Sequence, residues 1–278
     1  MKNTLLLLAA ACLAAACSGH ASLPEPFTPG TEAFFPEGSH IQGIATSEDA
    51  LYASQDCGLV KLSWTGEALG RRELPVHTGD ICWYKGELYV SMALADNAQD
   101  PLGDPTSGKG QILVFDKDLN PVRGVDVDRR VDGIACLDDV LYVGMGAKEQ
   151  PSRIPHRINL FGRFDAKTLE EIAPRTELDY GYDTRYGAQN LCSDGKSIYI
   201  SFYAVEGAPQ IAILDKDMNV VGTQFLAANQ GLDVMPAKWW GKEGPVFIKA
   251  KTIKTKAPET PSVTCKLDYW TPSKEERP

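Results

Sequence analysis

The stretch His77–Pro121 opens HTGDICWYKGELYVS and closes GQILVFDKDLNP, and its reading decides the fold. A buried apolar run, Ile81-Cys82-Trp83, meets a turn at Lys85-Gly86, and Leu88-Tyr89-Val90 alternates back. After a long excursion, Ile112, Val114 and Phe115 supply a third strand that stops at the turn DKDLNP. Alternation bounded by Gly, Asp, Asn and Pro predicts an antiparallel meander.

The same unit recurs along the chain. Its opening strands read QGIATSEDALYAS, GDICWYKGELYVS, DGIACLDDVLYVG, QNLCSDGKSIYIS and QGLDVMPAKWWGKEGPVFIK. Ile44, Ile81, Ile134, Leu191 and Leu232 are then equivalent and lie 37 to 57 residues apart, the span of a four-stranded propeller blade. Fourth strands are weaker, and the last unit lacks one. TEAFFPEG (residues 31–38) can supply it from the other end of the chain, which would remove an open sheet edge. The expectation is an all-β, five-bladed β-propeller of four-stranded blades, its ring closed by an N-terminal strand.

The strand, turn and LY-strand pattern resembles secreted bacterial propeller proteins with YVTN- or quinoprotein-like repeats. It is more distantly similar to the five-bladed glutamine cyclotransferase proteins. HTGDICW-, YGAQN- and ANQGLD-type segments resemble those of a group of envelope lipoproteins. These likenesses imply blades and no particular reaction, because propellers host enzymes, lectins and scaffolds alike.

Residues 1–16 read as a lipoprotein signal peptide: a positive Lys2, an apolar run, then small residues before a cysteine. Leu13-Ala14-Ala15-Ala16-Cys17 resembles a bacterial lipobox, with Cys17 the lipidated residue. Residues 17–30 form a flexible tether, 31–272 the propeller and 273–278 a polar tail. The chain is thus expected in the bacterial cell envelope, held to a membrane through the lipid alone. A net charge of −9 with no basic stripe argues against nucleic acid. Outside the signal the cysteines are Cys57, Cys82, Cys136, Cys192 and Cys265, without zinc-finger spacing. They read as buried thiols, or, for Cys57 with Cys265, as a bridge across the ring closure.

Loop lengths divide the two ends of the propeller. One end has short turns, whereas the other receives residues 93–110, 146–159 and 179–190. Long loops on a rigid scaffold carry function, so that second end is the expected working face. Stacked repeats place His40, His77 and Arg130 at one position there. Gln42, Asp132, Gln189 and Gln230 share another, followed by Asp80 and Asn190, with Asp233 deeper. Tyr186 lies beside them, among tyrosines suited to stacking on sugars.

Three functions fit this mouth. The leading one is binding of a small polar ligand, with a saccharide or other glycan in view, by His40, Gln42, His77, Arg130, Tyr186, Gln189, Asn190, Gln230 and Asp233. The second is a hydrolase or lyase with Asp80 and Asp132 as acid and base. In that case His40 and His77 serve as base or as ligands to a divalent metal cofactor. The third is a scaffold docking another envelope protein through the long loops. No GxSxG, HExxH, P-loop, dinucleotide fingerprint or CxxCH occurs, so those chemistries have no sequence support.

Overall fold

The strands begin and end where local chemistry dictates. Lys85-Gly86 (φ 46° and 88°) and Asp138-Asp139 (φ 51° and 64°) are two-residue turns with both residues left-handed, the twist that closes a tight hairpin. In DKDLN the Asp116 carboxylate accepts from the backbone N–H of Asp118 and Asn120 and from the Asn120 amide. Asp215 does the same in DKDMN, and Leu119 and Met218 adopt a positive φ that turns them into the core.

The computed structural model describes residues 40–74, 77–94, 108–148, 154–228, 230–240, 244–255 and 262–270. The signal segment, Cys17, the tether, the 31–38 stretch and the polar tail lie outside these residues. The first sheet is β1 (Ile41–Thr46), β2 (Leu51–Gln55), β3 (Gly58–Leu62) and β4 (Ala68–Glu73). The second is β5 (Thr78–Tyr84), β6 (Glu87–Leu94), β7 (Lys109–Phe115) and β8 (Pro121–Val127). Two further units merge into one seven-stranded sheet. It contains β9 (Ile134–Leu137), β10 (Val140–Ala147), β11 (His156–Asp165), β12 (Glu171–Ser193), β13 (Ile198–Ala204), β14 (Ile211–Leu214) and β15 (Val220–Gln224). The last sheet is β16 (Leu232–Val234), β17 (Phe247–Thr255) and β18 (Ser262–Trp270). All pairings are antiparallel between neighbours in the chain. Among the described residues there is no α-helix, only one turn of 3-10 helix at Ala237–Trp239.

The merger corrects one expectation. Residues 179–190 are not a loop, because β12 runs for 23 residues and serves two units. Its first part pairs with β11, from Phe164↔Glu171 to His156↔Thr184, and its second part pairs with β13, from Thr184↔Ala204 to Ser193↔Ile198. Tyr180, Tyr182 and Thr184 alternate inward along it, as a strand requires.

Apolar packing lies between sheets. Ala45, Tyr52 and Leu59 of the first meet Ile81, Leu88 and Val90 of the second. Tyr89, Ile112 and Val114 meet Ile134, Leu141 and Val143. Ala135, Tyr142 and Phe161 meet Leu191, Ile200 and Phe202. Cys192, Tyr199 and Ile211 meet Leu232, Val234 and Phe247. Finally Ile248, Val246 and Met235 of the last sheet pack on Ile41, Ile44 and Val60 of the first. The repeated tyrosine–serine element adds polar stitches: Ser54, Ser91 and Ser201 each donate to a carbonyl of the following unit, on Gly79, Asp132 and Ala228. The result is an all-β, propeller-like arrangement with the first strand of each unit innermost.

Those inner strands approach closely. A Cβ on Gly133 would lie 2.2 Å from Leu191 Cδ1, so a side chain there would have to displace the buried Leu191 where β12 settles against the start of β9. Cys136 and Cys192 are buried thiols, but Cys57 is exposed, which departs from the all-buried expectation. The side chain of Cys265 lies outside the description.

A polar pocket at the starts of the inner strands

Three β-bulges shape the site. Pairing shifts between Ile41 and Gly43 in β1, between Thr78 and Ile81 in β5, and between Arg185 and Asn190 in β12. A bulge re-aims side chains that a regular strand would alternate. The β12 bulge is sharpest: Tyr186 (φ 64°) and Gly187 (φ 74°) are both left-handed, and the Gln189 amide donates to the Tyr186 carbonyl at 2.7 Å. This staple sets Tyr186 and Gln189 side by side on one pocket wall.

The pocket has a volume of about 290 Å³ and is lined by His40, Gln42, His77, Arg130, Tyr186, Gln189 and Tyr203. Four units contribute. Five of these residues were expected from stacking the repeats and Tyr186 from the tyrosines beside them, and the structure brings the six together. Tyr203, on β13, completes the wall by meeting Tyr186 edge to face at 5.3 Å between ring centres. Burial, and then Tyr186, push the Tyr203 phenol up, so its ring presents a neutral hydroxyl.

Behind the histidines lies a carboxylate that repeat stacking missed. Asp56 sits in the tight turn between β2 and β3, the place where other units carry long loops. Its Oδ1 accepts from Gln42 Nε2 at 2.6 Å and faces His77 Nδ1 at 3.5 Å, and its Oδ2 faces His40 Nδ1 at 3.3 Å. Burial works to raise its proton affinity, but these three donors more than offset that and hold the carboxyl well below the usual carboxylate range. The Gln42 amide also reaches His40 Nε2 at 2.9 Å. An amide nitrogen can only donate, so Nε2 accepts and the His40 proton sits on Nδ1, facing Asp56.

Asp132, Asp80, Asn190, Asp233 and Gln230 do not line the pocket. Arg130 is buried and gives its Nε (2.8 Å) and Nη2 (2.6 Å) to Asp132 Oδ1. Asp132 is therefore the partner of Arg130, and it is also buried. Asp80 is fully buried away from the pocket lining. Its Oδ2 accepts from Ile134 N (3.0 Å) and Leu191 N (2.7 Å), and its Oδ1 accepts from Asn190 Nδ2 (3.0 Å). Asn190 also reaches the Gln42 carbonyl at 2.6 Å. Asp80 and Asn190 thus form a knot joining four inner strands. Asp233 accepts from Thr46 N (2.6 Å) and Thr46 Oγ1 (2.8 Å), tying the last sheet to the first. Gln230 precedes β16 and does not line the pocket.

Among the described residues no cluster of three or more His, Cys, Asp or Glu side chains is arranged to hold a metal ion. His40 and His77, expected as metal ligands, turn Nδ1 toward Asp56. The acidic loop residues Asp96, Asn97, Asp100 and Asp104, and Arg153 in the basic cluster, lie outside the described residues.

No protein-family model matches the chain, and no curated protein matches it in sequence. Solved structures similar to it include a Bacteroides caccae protein of unknown function (10% identity, 68% of this chain and 83% of that one, TM-score 0.40). The Neurospora crassa Pan2 WD40 domain is similar at 8% identity over 84% of this chain and 76% of that one, TM-score 0.41. Kluyveromyces lactis Hsv2p is similar at 13% identity over 82% and 72%, TM-score 0.36. At such scores these likenesses carry no inference about function.

Proposed function

We propose that this chain is an envelope-anchored, five-bladed β-propeller lipoprotein that binds a small polar ligand, a saccharide first, at the mouth of its central channel. Five inter-sheet cores support the blade count, and the packing of Ile248 and Val246 on Ile41 and Ile44 supports closure of the ring. One observation carries the binding reading: seven side chains from four units converge on a pocket of about 290 Å³. Packing alone would have filled that space with aliphatic residues. Instead two amides, two imidazoles and a guanidinium face a pair of tyrosines, the mixture of hydrogen-bonding groups and aromatic surface that a sugar ring requires. The Cys17 anchor rests on the lipobox-like sequence alone.

Calorimetry of the full chain, purified in detergent, against a panel of monosaccharides tests the reading. Binding that disappears in Tyr186→Ala supports it; no heat from any sugar, with the protein folded, overturns it. Intact-mass measurement after export tests the anchor, because lipidation adds acyl mass and removes residues 1–16.

A second reading, a hydrolase or lyase, draws on His77. Its Nδ1 is backed by the Asp56 carboxylate, as in an imidazole set up for proton transfer. In this reading His77 and Asp56 take the roles that Asp80 and Asp132 cannot fill from their buried positions. Turnover of a bound sugar that stops in His77→Ala would favour it over binding alone.

A further inference from the structure

Cys82 and Cys136 face each other across the contact between the second and third units. Side chains along an inner strand alternate between the preceding unit and the following one. In β5, Ile81 and Trp83 pack back on the first sheet, whereas Cys82 and Tyr84 pack forward on the third unit. In β9, Ile134 and Cys136 point back toward the second sheet, whereas Ala135 and Leu137 point forward. Cys82 thus follows the key apolar residue of its unit by one place, and Cys136 follows its own by two. The join between the last and first sheets shows that these two places touch. There Asp233 follows Leu232 by one place, Thr46 follows Ile44 by two, and the Asp233 carboxylate accepts from Thr46 Oγ1 at 2.8 Å. Between the second and third units the same two places hold thiols, and a side-chain hydrogen bond links them. Cys192 occupies the first of these places in its own unit but packs in one cluster with Val234.

We propose that Cys82 and Cys136 are a dithiol that closes to a disulfide between the second and third units, with Cys82 as the entry thiol. Both are free in the structure, Cys82 half-buried and Cys136 buried. A disulfide donor, either a small molecule such as oxidised glutathione or the disulfide of an oxidoreductase, therefore reaches Cys82 first. The Cys82 sulfur bonds to one donor sulfur, the donor S–S bond breaks, and the other donor sulfur leaves as a thiol with the Cys82 proton. The Cys136 sulfur then attacks the Cys82 sulfur and breaks this mixed disulfide. The second donor sulfur leaves as a thiol with the Cys136 proton. Two protein thiols are oxidised and one donor disulfide is reduced to two thiols. Burial pushes the Cys136 thiol up, which disfavours its ionisation before Cys82 has reacted. Among the described residues no third His, Cys, Asp or Glu completes a metal set with the pair. The bond would close residues 82–136 into a loop and fix β5 to β9, the strands preceded by His77 and Arg130 of the pocket.

The dithiol does not depend on the binding reading above. The full chain, reduced and then transferred into oxidised glutathione, is mapped by non-reducing peptide mass spectrometry in the parent, in Cys82→Ala and in Cys136→Ala. Exposed Cys57 is the internal control, because its disappearance as a free thiol shows that the reagent has acted. The expected result is a Cys82–Cys136 linked peptide in the parent. Its melting temperature should exceed that of the reduced chain by roughly 5–15 °C, and dithiothreitol should reverse the gain. In Cys136→Ala, Cys82 should stop at the glutathione adduct; in Cys82→Ala, Cys136 should stay a thiol. If both cysteines remain free in folded parent while Cys57 reacts, or if Cys82 links to a different cysteine, the pair is overturned. Glutathione on Cys136 in Cys82→Ala overturns the entry order. The parent map decides the pair even where a variant fails to fold.

Discussion

Asp80 and Leu191, 111 residues apart in the chain, are joined by a 2.7 Å hydrogen bond from the Leu191 backbone N–H to the Asp80 carboxylate. The contact belongs to a set in which every neighbour of Asp80 is a donor: the N–H groups of Leu191, Ile134 and Ile81 and the amide of Asn190. Burial pushes the Asp80 carboxyl up, while these four donors pull it down. Burial wins, and it holds the Asp80 carboxyl well above the usual carboxylate range. Its place is structural, at the centre of the inner strands.

Removing that carboxylate should strand four backbone or amide donors. Asp80→Ala is expected to cost about 3–5 kcal/mol, the range for breaking a buried charged network. Asp80→Asn should cost less, because its carbonyl still accepts from Leu191 and Ile134 while its amide opposes only Asn190. Urea unfolding monitored by tryptophan fluorescence gives both values. Equal, small losses would mean that Asp80 is not the knot.

Two carboxyls set opposite pH trends. Burial raises Asp233 to about 7, against the donors on Thr46 and Val234 that lower it. A raised folded-state value means that its contribution is fully present below about pH 4, the unfolded value, and is lost as pH rises through 7. Asp56 is depressed, so its contribution is present above pH 4 and is lost on acidification. Stability should therefore peak between about pH 4 and 6, and Asp233→Asn should lessen the decline on the alkaline side, to which the buried Asp80, raised in the same direction, also contributes. Melting temperatures across pH 3–9 for the parent and this variant check both signs.

Tyr186 holds a left-handed backbone (φ 64°) that L-residues other than Asn and Asp rarely adopt. Tyr186→Gly should relieve about 1 kcal/mol of strain while losing the edge contact with Tyr203, worth about as much. The expected outcome is near-unchanged stability with sugar binding lost. A large drop in stability would mean instead that the ring is chiefly a packing element.

His40 and His77 commit Nδ1 to Asp56, and Gln42 occupies His40 Nε2. The chain is therefore expected to keep its melting temperature and sugar binding after EDTA treatment. One equivalent of a divalent metal in the untreated protein, lost in His40→Ala with His77→Ala, would reverse that expectation and favour the hydrolytic reading.

Much of the arrangement was legible in the sequence. The recurrence of Ile44, Ile81, Ile134, Leu191 and Leu232 located every inner strand, because a buried position adjoining a turn leaves a regular trace. Stacking then put His40, His77 and Arg130 at one level, and the pocket gathers all three. Asp56 was missed because loop length guided the search, and its turn is the shortest on that face. Asp80 and Asn190 carried the residue types of a catalytic site, yet type does not reveal what an oxygen accepts. The three bulges left no periodic trace, since a bulge is defined by its partner strand. The serines after LYA, LYV and IYI were visible as a repeat, but their use as stitches between units depends on contacts that spacing cannot show.

β12 closes one unit and opens the next without a break. Elsewhere a turn or loop separates consecutive meanders, so a single unit could in principle be copied or deleted as a cassette. Across residues 171–193 no such seam exists. Any duplication, deletion or circular permutation here must take the pair as its smallest inheritable part, and the Tyr186–Gln189 wall of the pocket travels with that joint.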